Sequence, residues 1–238
     1  MKLGIMQPYF FPYIAYFQLI NAVDQWVIFD TPQYIRHGWV NRNRILHPQA
    51  GPKYILLPLA KHSKNVAIGE VLLHPVMKWK PKIMAQLHDY YRKKAPNFRD
   101  VLEMVDSALD ADESSLARLL MRCLEHTCQY VGLEFDPIIA SELNINPANV
   151  QHAGQWALEI SKSLSATEYV NPIGGKELLN PAEFEDSNTT LSFLESHAGE
   201  YNQGDNAFYG GLSILDVLMW NSKDETKTML GEYSLKSG

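Results

Sequence analysis

The side chains best suited to binding an anion occupy one short run of the chain. In Asn41-Arg42-Asn43-Arg44, carboxamides and guanidiniums alternate directly before the apolar pair Ile45-Leu46. If the run is extended, successive side chains point to opposite faces, so the arginines share one face and the asparagines the other. Neighbouring guanidiniums attract phosphate or carboxylate groups. A solvated edge strand whose charges deter aggregation has the same pattern, so both interpretations stay open.

Three further polar groups follow apolar runs that suit buried strands. Gln7-Pro8-Tyr9 follows the first run, Asp30 ends the second, and Asn171-Pro172-Ile173-Gly174-Gly175 follows a late one. In open α/β sheets, ligands bind beyond the carboxyl ends of the strands, where the strand order reverses. We therefore expect the three groups to converge. The glycines would let backbone N–H groups approach an anion, although a glycine pair after proline is also an ordinary turn.

Several titratable or aromatic side chains could take part in catalysis or binding. Asp30 is a candidate general base, an anchor for a hydroxyl or amine, or a cap for its own loop. His37 could move protons near neutral pH or be structural. Tyr9 and its aromatic neighbours could floor a sugar or base pocket, or belong to the core. Asp216 lies in a helix that is otherwise apolar, and we expect an arginine of the 42–44 pair as its partner.

Composition limits the class of protein. The chain has 238 residues, 46% hydrophobic and 20% charged, which is enough apolar material for one large domain or two small ones. The net charge of -6 disfavours nucleic acid as the main partner but leaves room for a local basic pocket. Cys123 and Cys128 are expected to be buried free thiols, and Asp30 and Asp216 are too few for a metal site. The sequence indicates no particular cofactor.

The N-terminal region is apolar without forming a membrane span. Pro12, Gln18 and Asp24 interrupt the run over residues 9–29, which leaves it short of the roughly 20 apolar residues that a spanning helix needs. No targeting signal is recognisable before it. We expect a cytoplasmic protein with no membrane span.

Strands and helices are expected to alternate along the chain. A strand over 2–6, a helix over 13–21 and a strand over 26–29 favour a parallel pair with a right-handed crossover. Further strands are expected over 34–46, 54–59, 68–73, 168–170 and 191–194, and further helices from Pro81, over 97–109, over 116–131 with Gly132 as terminator, from near His152 and over 212–220. The simplest interpretation is a single α/β domain over residues 1–238 with a mostly parallel Rossmann-like sheet, a strand-rich N-terminal third and a helical insertion over about 76–133.

A long N-terminal signature and several later motifs carry a family resemblance. They are Gln7-Pro8-Tyr9-Phe10-Phe11-Pro12-Tyr13-Ile14-Ala15-Tyr16-Phe17-Gln18-Leu19-Ile20, Asp30, Gln33-Tyr34, Gly38-Trp39, Asn41-Arg42-Asn43-Arg44, Asn171-Pro172-Ile173-Gly174-Gly175 and Leu212-Ser213-Ile214-Leu215-Asp216. Together they resemble the WbqC-like protein family over nearly the whole chain, most specifically over the first 46 residues. Ala15 departs from the glycine that the family usually has there.

The resemblance implies a function but no established catalytic residue. The family's genes lie in bacterial surface-polysaccharide (O-antigen) clusters, and a glycine transferase role has been suggested. A member is therefore expected to move glycine or another acyl group to an amino sugar on a nucleotide or lipid carrier. Its small-molecule substrate would be a nucleotide-sugar or another activated sugar. A homo-oligomer is compatible with this role.

Under this hypothesis the candidate residues divide by role. The proton acceptors are Asp30 and His37. The substrate-binding candidates are Arg42 and Arg44 for phosphates, Gly174 and Gly175 for backbone donors, Asn41, Asn43 and Asn171 for sugar hydroxyls or the acyl oxygen, and Gln7, Tyr9 and Asp216.

Two alternatives stay open. One is a divergent nucleotidyltransferase-like enzyme that binds nucleotide. The two histidines of that superfamily would fall near Pro12 or Tyr13 and at Tyr16, and none of these positions is histidine. The other is a noncatalytic subunit of a glycan-assembly complex, which would dock through its aromatic N-terminus.

Overall fold

The computed structural model describes residues 1–75 and 78–238. In chain order the strands are β1 (Lys2–Met6), β2 (Gln25–Ile28), β3 (Arg42–His47), β4 (Gly51–Leu56), β5 (Pro137–Ile139), β6 (Glu168–Pro172), β7 (Thr190–Ser196) and β8 (Tyr233–Ser237). The helices are α1 (Ile14–Ala22), α2 (Trp79–Tyr91), α3 (Phe98–Leu109), α4 (Leu116–Val131), α5 (Gln155–Ser163), α6 (Pro181–Asp186), α7 (Ile214–Trp220) and α8 (Lys223–Leu230). Short 3₁₀ helices cover Ile68–Glu70, Ala140–Glu142, Pro147–Asn149 and Ile173–Leu178.

A six-stranded mixed sheet organises the molecule, in the order β5-β2-β1-β6-β7-β8. The first five of these strands run parallel, and β8 pairs antiparallel with β7 at one edge. Strands β3 and β4 form a separate antiparallel hairpin. The prediction of an α/β fold with a mostly parallel sheet is therefore confirmed. Because the chain extends the sheet from β1 through β2 to β5 and then returns to the other side of β1, the strand order reverses between β1 and β6.

The central strand β1 is buried on both faces, as parallel strands under two helical layers usually are. One face packs against α5 and α6 through a core that includes Leu3, Ile5 and Phe193. The other face packs against α1, α3, α4, α7 and α8 through a larger core. Gly4 permits this packing, because the Trp26 ring lies 2.8 Å from the position that a Cβ would occupy.

Helices α2, α3 and α4 fill the stretch expected to be a helical insertion, whose residues 76 and 77 lie outside the described residues. Helix α4 ends at Gly132 with φ 75°, as its sequence predicts. Cys123 and Cys128 lie buried and unpaired on α4, so the prediction of free thiols is confirmed. These helices share the apolar core of α1 and α7, and this sharing is the basis for proposing one domain over the whole chain.

Two strand predictions are wrong. The expected strand over 68–73 is a 3₁₀ turn followed by isolated bridges at Leu72 and Leu73. The expected strand over 34–46 begins only at Arg42, because a turn with His37 at φ 63° interrupts its first half. Within the described residues, no helix combines the length and apolarity that crossing a bilayer requires.

Candidate functional site

A cavity of about 440 Å³ lies at the carboxyl ends of β1 and β6, where the strand order reverses. Open α/β sheets bind ligands at this position, and the volume suits a small molecule. We call it the switch-point cavity. Its lining comprises Ile5, Met6, Gln7, Tyr9, Tyr13, Phe29, Trp39, Ala153, Gly154, Ala157, Tyr169, Asn171, Pro172, Gly174, Gly175, Leu178 and Leu179. The structure thus brings together five predicted site residues: Gln7, Tyr9, Asn171, Gly174 and Gly175.

The cavity wall is aromatic and uncharged. Its lining residues include three tyrosines, a phenylalanine and a tryptophan, and none is Asp, Glu, Lys, Arg or His. Burial raises the pKa of Tyr9 and of Tyr13, so both hydroxyls stay protonated at neutral pH and serve as hydrogen-bonding groups. Such a wall suits a ligand with apolar faces and neutral polar groups, as a sugar ring has.

The asparagine–glycine turn after β6 is held in one conformation. The Asn171 side chain accepts a hydrogen bond from the Tyr169 hydroxyl at 2.8 Å and donates one to the Pro172 carbonyl at 3.0 Å. A Cβ on Gly175 would lie 2.1 Å from Asn171 Nδ2, so a larger residue there would displace the amide. Around Gly174, by contrast, a Cβ would meet no atom within 4 Å.

The loop between β1 and α1 is clamped by buried side chains. Phe11 has φ 42°, a left-handed conformation that is costly for a bulky residue. Its carbonyl accepts hydrogen bonds from Asn43 Nδ2 at 2.8 Å and Ser213 Oγ at 2.7 Å. The Tyr16 hydroxyl donates to the Gln7 carbonyl at 2.9 Å. Asn43, which the sequence suggested as a ligand contact, is only 3% exposed and supports this loop in the structure.

Arg42 does not line the switch-point cavity. Its guanidinium lies 4.4 Å from the centre of the Tyr54 ring, and it donates to the carbonyls of Gly38 and His37. It lines a second cavity together with His37 and Asn41. The structure therefore groups these three predicted residues apart from Gln7 and Asn171.

Arg44 reaches the switch-point cavity only through Trp39. Its guanidinium lies 5.3 Å from the Trp39 ring, which lines the cavity, and Nη2 donates to the Gly211 carbonyl at 3.3 Å. The alternation of the sequence run places Arg42 and Arg44 on one side of β3, yet their guanidiniums rest on different aromatic rings.

Asp30 lies away from the switch-point cavity. Its neighbour Phe29 lines the cavity, whereas Asp30 lines a separate pocket of about 150 Å³ beside Arg118. The carboxylate accepts hydrogen bonds from the Ser141 backbone at 2.9 Å and from Ser141 Oγ at 2.6 Å. These contacts tie β2 to the turn after β5, so Asp30 caps that turn, whereas the sequence suggested a cap for its own loop.

The prediction that an arginine pairs with Asp216 is wrong. The fully buried carboxylate accepts hydrogen bonds from Tyr91 at 2.6 Å, Tyr201 at 2.7 Å and Gln203 at 2.8 Å. Burial raises the pKa of Asp216, which three neutral donors offset only in part. Because the Tyr91 hydroxyl also accepts from the Leu46 backbone at 3.0 Å, the cluster fastens α7 to α2 and β3. Asp216 thus supports the fold outside the cavity.

For His152 the sequence pattern predicts only the start of a helix, and the structure adds an ionic partner. Its Nε2 lies 3.1 Å from Glu183 Oε1, which also accepts from Gln155 Nε2 at 3.1 Å. The hydrogen bond from His152 lowers the pKa of Glu183. The next two residues, Ala153 and Gly154, line the switch-point cavity, so this pair sits at its edge. A histidine beside a helix-start glycine is the signal that could have identified it.

Within residues 1–75 and 78–238, no group of three or more His, Cys, Asp or Glu side chains is arranged to hold a metal ion.

Comparison with known proteins gives one family and one relative. A model of the WbqC-like protein family matches residues 7–228. The chain is similar to the "Uncharacterized protein Rv1507c" of Mycobacterium tuberculosis (strain ATCC 25618 / H37Rv), with 25% identity over 220 residues that cover 91% of this chain and 92% of the relative. No solved structure matches the chain.

Proposed function

Because the chain belongs to the WbqC-like protein family, we propose that it is a transferase of bacterial surface-polysaccharide (O-antigen) biosynthesis. In this proposal it transfers glycine or another acyl group to an amino sugar that a nucleotide or lipid carrier presents. The sugar occupies the switch-point cavity. The observation that carries the proposal is that the family signature residues at both strand ends line this one cavity.

The chemistry of the cavity supports a sugar ligand. The rings of Tyr9 and Trp39 offer stacking surfaces for an apolar sugar face. Gln7 and Asn171 bring carboxamides to the carboxyl ends of β1 and β6, where they can order hydroxyl groups or polarise an acyl oxygen. The clamped loop and the fixed turn hold these groups in place before the ligand arrives, which lowers the entropic cost of binding.

A carrier phosphate has a favourable position at the start of α5. Ala153 and Gly154 line the cavity, and the first turn of α5 contains no acidic residue and no side-chain cap. The Gln155 N–H already donates to the His152 carbonyl at 3.1 Å, so in this proposal the positive end of the helix dipole is what favours an anion here. Gly174 and Gly175 add backbone near the same rim.

The transfer step needs a group that takes a proton from the attacking amine. Asp30 and His37, the sequence candidates, line other pockets. His152 fits this role in the proposal, because Glu183 holds its Nε2 at 3.1 Å and leaves Nδ1 to accept a proton. The amine then attacks the activated carboxyl carbon, a C–N bond forms, and the donor's leaving group departs.

A pair of glycine variants tests where the ligand binds. Gly174→Leu fills the switch-point cavity and meets no atom of the protein near the new Cβ. Gly199→Leu makes the same change in an exposed loop, where a Cβ also meets nothing within 4 Å. Calorimetry with a panel of nucleotide-linked amino sugars should detect binding to the natural protein and to Gly199→Leu. We expect Gly174→Leu to bind at least tenfold more weakly with an unchanged melting temperature.

Two results would contradict the proposal. Equal affinity of Gly174→Leu and the natural protein would move the sugar out of the cavity. Binding without any product, when mass spectrometry follows mixtures with activated glycine and other acyl donors, would leave a binding protein rather than a transferase.

A nucleotide-binding enzyme is the second candidate, because β1 is followed by a proline-containing loop, α1 and the parallel strand β2. Strand β1 also borders the point where the strand order reverses. At Tyr16, where that superfamily has a histidine, the hydroxyl is buried and bonded to the Gln7 carbonyl. Nucleotide binding without adenylyl transfer is therefore the expectation. Thermal-shift measurements test this candidate. It is favoured if nucleoside triphosphates raise the melting temperature of the protein and amino sugars alone do not.

A further inference from the structure

A second cavity, of about 470 Å³, lies between the loop that leads into β3 and the loop that follows β4. We call it the basic pocket. The residues of interest in its lining are Arg36, His37, Arg42, Lys61 and His62. The loop between β2 and β3 lines both cavities, with His37 in the basic pocket and Trp39 in the switch-point cavity.

The charges of the basic pocket are uncompensated. Arg36, Arg42 and Lys61 are basic residues, and no Asp or Glu lines the pocket. Across the described part of the chain, none of the three lies within 4.0 Å of a carboxylate oxygen. The chain as a whole has a net charge of -6, so this clustering is not the result of a general basic surplus. Like charges that converge without a counterion favour the binding of an anion.

Arg42 is held in position before any ligand binds. Its guanidinium stacks at 4.4 Å on Tyr54, and Nε donates to the Gly38 carbonyl at 3.1 Å. The neighbouring Asn41 amide is fixed as well, because it accepts from the Tyr34 hydroxyl at 2.8 Å and donates to the Leu57 carbonyl at 2.8 Å. A guanidinium that is already oriented loses little freedom when it binds an anion.

The Tyr34 hydroxyl lies within the electrostatic influence of two of these cations. Burial raises the pKa of Tyr34, while the charges of Arg42 and Arg36 oppose this shift. Tyr34, Arg36 and Arg42 all line the basic pocket, so both guanidiniums act on the same part of its wall. Leu57, Pro58 and Leu59 supply an apolar floor, where electrostatic attraction is stronger than in open water.

We propose that the basic pocket is a binding site for a phosphate or diphosphate group. Three cations and two histidines suit two adjacent phosphates better than one carboxylate, because a diphosphate carries more charge and more acceptor oxygens. The site is independent of the proposed transferase, since it would bind diphosphate even if the switch-point cavity bound no sugar. The group could belong to a soluble nucleotide or to a lipid headgroup, and the apolar side chains nearby are exposed Leu56 in the lining and exposed Ile35 beside Arg36 in the chain.

Charge-removing variants test the proposal with inorganic pyrophosphate as the probe. Arg36→Ala/Lys61→Ala removes two exposed cations of the pocket, and Lys53→Ala/Lys64→Ala removes two exposed lysines outside it. We expect calorimetry to show pyrophosphate binding to the natural protein, at least a tenfold loss in the pocket variant, and less than a threefold change in the control variant. Arg42→Ala should weaken binding too, with circular dichroism to verify its fold.

The outcomes separate the proposal from its rivals. No pyrophosphate binding at millimolar concentration, or equal losses in both double variants, overturns it. Phosphatidylcholine vesicles containing phosphatidic acid test for a lipid source. A lipid source is supported if the vesicles bind the natural protein but not Arg36→Ala/Lys61→Ala, and if pyrophosphate displaces the natural protein from them. If such vesicles do not bind while pyrophosphate does, the source is a soluble phosphate compound. Because the readout is pyrophosphate affinity, failure of amino-sugar binding at the switch-point cavity leaves this test unaffected.

Discussion

Asn43 provides the sharpest test of the clamp on the loop between β1 and α1. Its Nδ2 donates to the Phe10 carbonyl at 3.2 Å and the Phe11 carbonyl at 2.8 Å, and its Oδ1 accepts from the Arg44 backbone at 2.8 Å. In Asn43→Ala all three bonds are lost, while Ser213 still serves the Phe11 carbonyl. Phe10 and Phe11 are fully buried, so water replaces the amide poorly at their carbonyls.

The size of the effect follows from these contacts. A buried polar group that loses its partner costs about 1–3 kcal/mol. The left-handed Phe11 adds strain of order 1–3 kcal/mol, which the surrounding bonds must overcome. We therefore expect Asn43→Ala to lower the free energy of unfolding by roughly 2–4 kcal/mol. Asn43→Asp should cost more at neutral pH, because it directs carboxylate oxygens at the Phe10 and Phe11 carbonyls.

Urea denaturation followed by circular dichroism measures these differences. Asn144 is exposed and supplies the matched controls Asn144→Ala and Asn144→Asp, which should change stability by less than about 0.5 kcal/mol. Amino-sugar affinity is measured on the same variants at a temperature where they are folded. If Asn43→Ala keeps its stability and loses only ligand affinity, Asn43 is a direct ligand contact and the clamp interpretation is refuted.

Two further predictions concern titratable groups. His152→Gln should lower the rate constant of transfer at least tenfold with a smaller change in KM, and Glu183→Gln should shift the pH–rate profile; an unchanged kcat in His152→Gln would remove it as the base. For Asp216, burial raises the pKa in the folded state above the ordinary 3.8, so the unfolded chain releases its proton first and stability falls as pH rises through the window above 3.8. Urea titrations at several pH values should therefore show that the natural protein loses free energy of unfolding relative to Asp216→Asn over that window. A difference that stays constant with pH would show that the pKa of the carboxyl is the same in the folded and unfolded states.

The parts of the fold that the sequence predicts well are those with a complete local pattern. The apolar stripe of α4 and its terminal Gly132 specify that helix without reference to the rest of the chain. Strand β5 has only three residues, and β8 is half polar, so neither has an apolar run of useful length. Helix α8 was missed although Ser222 and Glu225 form a capping box at its start, because its low apolar content hides its buried face.

The candidate site was predictable where the strand-end rule applies and not where contacts decide. Gln7 follows β1 and Asn171 lies near the carboxyl end of the adjacent parallel strand β6, so the rule brings them to one cavity. Asp30 also follows a strand, but a one-residue step places it on the opposite face from Phe29. The arginines belong to a separate hairpin, and alternation along β3 cannot show that Tyr54 and Trp39 hold their guanidiniums apart.

The pairing of Lys2 with Glu168 has a consequence for biosynthesis. During translation the segment that carries Gln7 and Tyr9 leaves the ribosome before the segment that carries β6, and β1 can pair with β2 in the meantime. The other half of the switch-point cavity arrives only after the three middle helices have been synthesised. Closing so long a loop slows the search for the native pairing, so the nascent chain exposes one edge of its central strand until late. The switch-point cavity is therefore completed only when β6 has paired with β1.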